Sequence, residues 1–290
     1  MLKSEKAYGK INLSLDVLGR RQDGYHLVKM VMQTVDICDT VTVKTLEPCP
    51  EQEIRVVTDS GEIPSGPDNL VFRVADVMCK YAGIQDSLEI SIVKRIPVAA
   101  GMAGGSTDAA AVFRILRDLY SPETDDKKLQ ELALPLGADI PYCIQGRTQL
   151  SEGIGEILTI LPAPPECSLI IVKPDLYVST GWVYTNYDSI PEDEVRHPDV
   201  DRQVKAIREG DLAGLAAACG NVLEQKTGAV YPVIGELEAF LEERGAVRAI
   251  MTGSGPTVFG IFDDEAVRDA AFRQLEEQYP SFQKFRASFV

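Results

Sequence analysis

The segment Pro97-Val98-Ala99-Ala100-Gly101-Met102-Ala103-Gly104-Gly105-Ser106-Thr107-Asp108 constrains this chain more than any other. It follows a strand-like stretch, leads into a helical one, and from Ala99 to Gly105 its small residues are interrupted only by Met102. Backbone N–H groups of a glycine-rich turn, together with the free N–H groups of a helix's first turn, form a concave array of donors. The helix dipole adds partial positive charge there, so phosphate is the natural ligand. Gly101, Gly104 and Gly105 allow close approach with no Cβ in the way, and Ser106 or Thr107 offers a hydroxyl to a phosphate oxygen or to Mg²⁺. Neither G-x-x-x-x-G-K-[ST] nor a dinucleotide-type G-x-G-x-x-G is present. The competing reading is a plain strand-to-helix turn with Ser106 as N-cap; the length of the small-residue run favours phosphate.

Periodicity supplies the surroundings. Residues 10–17, 39–44 and 53–57 alternate apolar and polar side chains as half-buried strands do. Leu70, Val71, Val74, Met78 and Tyr81 recur at helical spacing, with Asp68 placed to cap the start, and residues 88–92 return to strand. Ala109, Val112, Phe113, Leu116 and Leu119 form one face of the helix after the glycine turn, and a third helix is predicted over 125–134. Pro162-Ala163-Pro164-Pro165 is the linker candidate. Beyond it, strands are predicted at 169–172, 246–251, 257–262 and 284–289, and helices near 201–209, 211–219, 231–244 and 265–278. Strands cluster ahead of helices in each half, which predicts an α+β chain with domains at 1–161 and 162–290.

Composition excludes partners. The 290 residues carry 29 basic and 44 acidic side chains, a formal charge of −15. Counterion release on nucleic acid and docking on anionic lipid both need clustered Lys and Arg, so neither partner is expected. The first residues hold no apolar run of the kind a leader needs, and no uninterrupted apolar stretch is long enough to span a bilayer. Six scattered cysteines, Cys38, Cys49, Cys79, Cys143, Cys167 and Cys219, read as reduced thiols of a cytoplasmic protein. His26 and His197 are the only histidines, too few to supply a zinc site or a Ser-His-Asp triad well.

Three further motifs carry chemistry. Lys10 lies inside the alternating strand Ala7–Leu13, and Lys is rarely buried without a partner. It sits either on the solvated face or, with Asn12 on the same face, in a site. Leu136-Gly137-Ala138-Asp139-Ile140-Pro141 reads as a helix start with Asp139 near the N-cap. In Arg20-Arg21-Gln22-Asp23-Gly24-Tyr25-His26, the Asp-Gly turn leaves Tyr25 and His26 at a loop exit, as an exposed pair or as a platform for a planar ligand. Trp182 and Cys143 read as packing residues, His197 as an exposed loop histidine, and residues 191–194 as a solvated acidic loop.

Together with Glu152–Ile157 and Thr252-Gly253-Ser254-Gly255-Pro256, these stretches occur in the order that resembles the GHMP small-molecule kinases. The resemblance is strongest to the branch that phosphorylates the 2-hydroxyl of a cytidine diphosphate-linked methylerythritol in the non-mevalonate isoprenoid pathway. It implies a two-domain α+β fold, with an N-terminal ribosomal-S5-like ATP-binding lobe, a C-terminal α/β lobe and the active site in the cleft between them. Lys10 and Asp139 then resemble the catalytic pair. Residues Pro97, Val98, Ala99, Ala100, Gly101, Met102, Ala103, Gly104, Gly105, Ser106 and Thr107 resemble the ATP cradle, with Ser106 beside Mg²⁺ and weaker adenine contacts around Asn69 and Lys94. Asn12, Tyr25, His26 and Tyr184 resemble the cytidine contacts. Relatives of this kind carry more glycine where this chain has Ala100 and Ala103, so both alanines are expected at negative φ; Asp108 is left without a role. A monomer and a homodimer both stay open. The rivals are a homoserine, mevalonate or sugar kinase of the same superfamily, or a catalytically silent ligand-binding protein on the fold. The Tyr25/Tyr184 pair is what a small aliphatic substrate does not need.

Overall fold

The computed structural model describes residues 1–47 and 52–290, so Cys49 lies outside the described residues. The chain forms two compact units that interleave in sequence: residues 1–9, 37–98 and 103–146 make the first, and 10–36, 99–102 and 147–290 the second. The physical reason is the length of the first two strands, β1 (Leu2–Arg20) and β2 (His26–Thr45), which run through both units. The Pro162–Pro165 stretch lies inside the second unit and joins two of its strands.

In the first unit, β3 (Ile54–Thr58) is followed by α1 (Leu70–Ala82), β4 (Leu88–Val93), α2 (Gly104–Tyr120), α3 (Asp126–Ala133) and α4 (Ile140–Gln145). β4 pairs parallel with β3 and antiparallel with the C-terminal part of β2, Thr40 opposite Val93. Helix α1 is capped by Asn69, not by Asp68: the Asn69 side chain accepts from Val71 N and donates to Pro64 O at 2.6 Å. Helix α2 is buried without a break from Thr107 to Phe113, because its alanines let α1 and α4 approach closely. Residue-scale periodicity therefore found this helix but understated how much of it is core.

The second unit holds β5 (Thr148–Glu152) and β6 (Ile157–Ile160), a hairpin whose first strand pairs with β2 at Met30–Gln33. The chain continues through β7 (Ser168–Lys173), α5 (Thr180–Tyr187), α6 (Val200–Glu209), α7 (Leu212–Ala218) and β8 (Gly220–Asn221). It closes with α8 (Glu224–Val230), α9 (Val233–Glu243), β9 (Arg248–Met251), β10 (Val258–Phe262), α10 (Glu265–Gln278) and β11 (Gln283–Ser288). β11, β7, β10 and β9 form an antiparallel sheet in that order, with α9 and α10 packed on it. β10 is buried at every residue, as its continuous apolar run requires. The two-residue β8 pairs parallel with β1 at Ser14 and Leu15. β5, β6, α5 and α8 went unread because each is short and lacks a clean period. The described cysteines form no disulfide with one another. No described helix is long and apolar enough to cross a membrane.

Candidate active site

β1 resolves the ambiguity over Lys10. The residue is 5% exposed, and its Nζ donates to Asn12 Oδ1 at 2.6 Å and to Gly101 O at 3.1 Å. A buried ammonium with neutral acceptors on two of its three donors retains its full charge for a further, anionic partner. Asn12 is anchored in turn, its N–H donating to Thr252 Oγ1 at 2.9 Å. The backbone N–H of Lys10 donates to Met102 O at 3.1 Å, which ties the lysine strand to the glycine turn.

The turn itself is built from backbone. Ala99 (φ 51°), Gly101 (φ 71°) and Ala103 (φ 57°) are left-handed at every second position. Such alternation aims successive N–H groups into one concavity, the geometry of an anion nest. Ala100 keeps the expected negative φ, but Ala103 does not: α2 begins at Gly104, and the chain has one residue in which to reverse. Each left-handed alanine costs roughly 1–2 kcal/mol. At Gly101 no side chain is tolerable, since a Cβ there would stand 2.4 Å from Thr252 O.

Helix α2 carries no side-chain cap. Ser106 is a first-turn residue, not the N-cap, and the N–H groups of Gly104, Gly105 and Ser106 precede the first intrahelical acceptor, Ala103 O, which takes Thr107 N. Thr107 turns its hydroxyl away, donating to Tyr8 O at 2.6 Å, so of the two hydroxyls only that of Ser106 remains for a ligand. Pro97 is buried and Val98 half-buried, which seats the entry to the turn.

Asp108 has a role that the sequence did not disclose. Lys94 Nζ pairs with both Asp39 and Asp108, the latter at 2.8 Å, and all three side chains are at least nine-tenths buried. Asp39 also accepts the N–H of Ile96 at 2.8 Å and that of Arg95. Burial lowers the Lys94 pKa, but Asp108 and Asp39 outweigh it and the pKa ends raised. Burial pushes the Asp108 carboxyl up against the pull of Lys94, and its Oδ1 has no hydrogen-bond partner among the described residues. The Lys94 ammonium therefore braces the start of α2, passing 3.3 Å from where a Cβ on Gly104 would stand. Asn69 likewise uses both its side-chain polar atoms within its own turn. In the sequence nothing sets Asp39 apart from Asp36, three residues earlier in the same strand; only the fold shows that Asp39 is the buried one.

Asp139 stands at the N-cap of α4, yet its side chain makes no cap hydrogen bond. It is half-buried, followed by the fully buried run Ile140–Ile144. Its position at the N-cap is as read from the sequence, but φ −81° and ψ −18° are helical, not the extended values that aim a cap side chain at the first turn. Asp139 belongs to the first unit, Lys10 to the second.

In the second unit, residues 21–25 close the β1–β2 hairpin, with Gly24 at φ 90° and Tyr25 59% exposed at its exit. The His26 ring stacks on Tyr184 with centroids 4.8 Å apart and meets the edge of Tyr187 at 6.5 Å. The structure thus brings two of the expected cytidine contacts, His26 and Tyr184, together. His26 Nε2 lies 2.6 Å from Asp188 Oδ1. His197 is exposed, as expected, but its Nδ1 is 2.6 Å from the buried Asp16. Trp182 packs edge-on to Tyr231, and Cys143 is buried.

Comparison with known proteins places the chain in a family. Residues 69–147 match the GHMP kinases N terminal domain and 203–281 the GHMP kinases C terminal. A 4-diphosphocytidyl-2-C-methyl-D-erythritol kinase of Lachnospira eligens is 46% identical over 260 residues, covering 90% of this chain and 88% of its own. One from Lachnoclostridium phytofermentans is 43% identical over 94% of this chain and 92% of its own. A crystal structure of 4-(cytidine 5'-diphospho)-2C-methyl-D-erythritol kinase superposes with a TM-score of 0.81 at 28% identity, covering 99% of both chains. A homoserine kinase from Cytophaga hutchinsonii, at 16% identity and a TM-score of 0.75 over 99% of this chain and 94% of that one, shares the fold. This chain belongs to the GHMP kinases, and within them to the family of the 4-diphosphocytidyl-2-C-methyl-D-erythritol kinases.

Proposed function

We propose that this enzyme transfers the γ-phosphoryl group of ATP to the 2-hydroxyl of 4-diphosphocytidyl-2-C-methyl-D-erythritol. The observation that carries the reading is the buried Lys10 ammonium, held by Asn12 and by the carbonyl of Gly101 in the left-handed turn. Phosphoryl transfer passes through a loose transition state, so catalysis consists mainly of positioning and of neutralising charge on the equatorial oxygens. The nest from Ala99 to Ala103 and the uncapped start of α2 supply N–H donors of fixed direction to the triphosphate. Lys10 supplies a full charge, pre-oriented and desolvated before the ligand arrives. Asp139, whose carboxylate its helix leaves unused, orients the substrate hydroxyl and takes its proton once the new P–O bond is forming.

A Mg²⁺ ion fits this donor set: no described cluster of three or more His, Cys, Asp or Glu could hold a metal by itself, whereas the Ser106 hydroxyl and triphosphate oxygens are the hard ligands it prefers. Bound there, it would add charge neutralisation to that of Lys10. His26 and Tyr184, with Tyr25 at the hairpin exit and Asn12, are assigned to the cytidylyl substrate. The test is incubation with Mg²⁺-ATP and 4-diphosphocytidyl-2-C-methyl-D-erythritol, with the product phosphate located by ³¹P-coupled NMR. Phosphate on the 2-hydroxyl is expected. Phosphorylation of homoserine, mevalonate or galactose instead would sink the reading.

A further inference from the structure

Asp188 stands just beyond α5 and accepts two hydrogen bonds, from His26 Nε2 at 2.6 Å and from Arg20 Nη1 at 2.9 Å. The His26 ring is fixed in plane by Tyr184 and Tyr187, and its side chain is 10% exposed. Tyr187 is itself tied down, its hydroxyl donating to Val17 O at 3.3 Å. A carboxylate can only accept, so the proton of the neutral ring sits on Nε2 and Nδ1 holds the lone pair. Among the described residues Nδ1 has no partner. The Arg20 guanidinium takes the other carboxylate oxygen, Oδ2, and so holds Asp188 in place against the ring.

We infer that Asp188 is a positioning residue that fixes the tautomer of His26, so that Nδ1 accepts a hydrogen bond from an amino group of the bound base. This rests on the functional reading above and sharpens it. A cytosine carries an exocyclic amino donor where a uracil carries a carbonyl oxygen. A lone pair on Nδ1 pairs with the first and opposes the second. Sites built to hydrogen-bond one polar group reject its mismatched counterpart strongly, because buried polar atoms are then left unpaired. Arg20 acts one step further out, by holding the Asp188 carboxylate to the ring.

The experiment compares kcat/KM for the cytidine diphosphate-linked substrate and its uridine counterpart in the wild type, Asp188→Ala, Asp188→Asn and Arg20→Ala. The wild type is expected to favour cytidine by about 100-fold. Asp188→Ala should shrink that ratio about tenfold, through KM for the cytidine substrate and with kcat at saturation kept. Asp188→Asn keeps an oxygen acceptor for Nε2–H and should restore most of the ratio; Arg20→Ala should fall between. The chain has only two histidines, so ¹⁵N spectra of the imidazoles, assigned with His26→Gln, report the tautomer directly. A proton on Nε2 in the wild type, redistributed in Asp188→Ala, is the expected result. An unchanged cytidine-to-uridine ratio in Asp188→Ala, or a wild-type proton on Nδ1, overturns the inference. Turnover of neither substrate by the wild type would defeat the functional reading instead, while the spectra would still decide the tautomer.

Discussion

The glycine turn and the His26 cluster are built by opposite means. From Ala99 to Ser106 the donors are backbone N–H groups, and what matters is the direction of the chain: three left-handed residues, a glycine with no room for a Cβ, and a helix start without a side-chain cap. Around His26 the backbone is ordinary strand and helix. There the device is a set of side chains, Tyr184, Tyr187, Asp188 and Arg20, each holding the next. A site made of backbone tolerates changes of side chain and fails when the chain is re-aimed. A site made of side chains has the reverse sensitivity.

Substitutions can break or sharpen this contrast. The largest effect is expected under the turn, at Lys94. Lys94→Met leaves Asp39 and Asp108 buried without their shared cation, and breaking a buried ion cluster in this way costs roughly 3–5 kcal/mol. Denaturant titration should show that loss as a lower midpoint at unchanged slope. Next comes Gly101→Ala, which must move the turn because its Cβ would meet Thr252 O. A displacement of that order is expected to lower kcat/KM about 100-fold, with ATP binding weakened. His26→Gln is the counterpart in the side-chain cluster. It should raise KM for the cytidylyl substrate about tenfold, while KM for ATP stays as it was. If His26→Gln disturbed ATP as much as the cytidylyl substrate, the two regions would not be separable devices.

The smallest effect has the opposite sign. Ala103 occupies left-handed space that glycine enters freely. Ala103→Gly should therefore stabilise the fold by up to about 1 kcal/mol, the relief of the left-handed alanine less the extra chain entropy of glycine. Thermal unfolding would check it, and a fall in Tm would mean that the strain is not located there.

The same contrast explains what could be read beforehand. The turn was legible because its glycines, its following helix and its small residues are contiguous, and backbone chemistry leaves a local trace. Lys10 and Asn12 were legible as a same-face pair for the same reason. The His26 cluster was only half legible. Tyr25 and His26 were visible as a hairpin exit, but stacking on Tyr184 and the bond to Asp188 join residues more than 150 positions apart, and no periodicity encodes that. Asp108 has no legible role in the sequence because its ion-pair partner Lys94, and Asp39 beyond it, lie on two other segments. The interleaved units escaped for a related reason, since strands of 19 and 20 residues look locally like several short ones.

The central claim is that a buried, pre-oriented Lys10 and a fixed backbone nest carry the chemical step. Its most direct test is the single-turnover rate of phosphoryl transfer with Mg²⁺-ATP and 4-diphosphocytidyl-2-C-methyl-D-erythritol both saturating, for the wild type and for Lys10→Ala. Removal of a desolvated charge from the transition state predicts a fall of about 10²–10³-fold in that rate, with the folded state intact by circular dichroism. A Lys10→Ala enzyme that transferred phosphate at close to the wild-type rate would contradict the account.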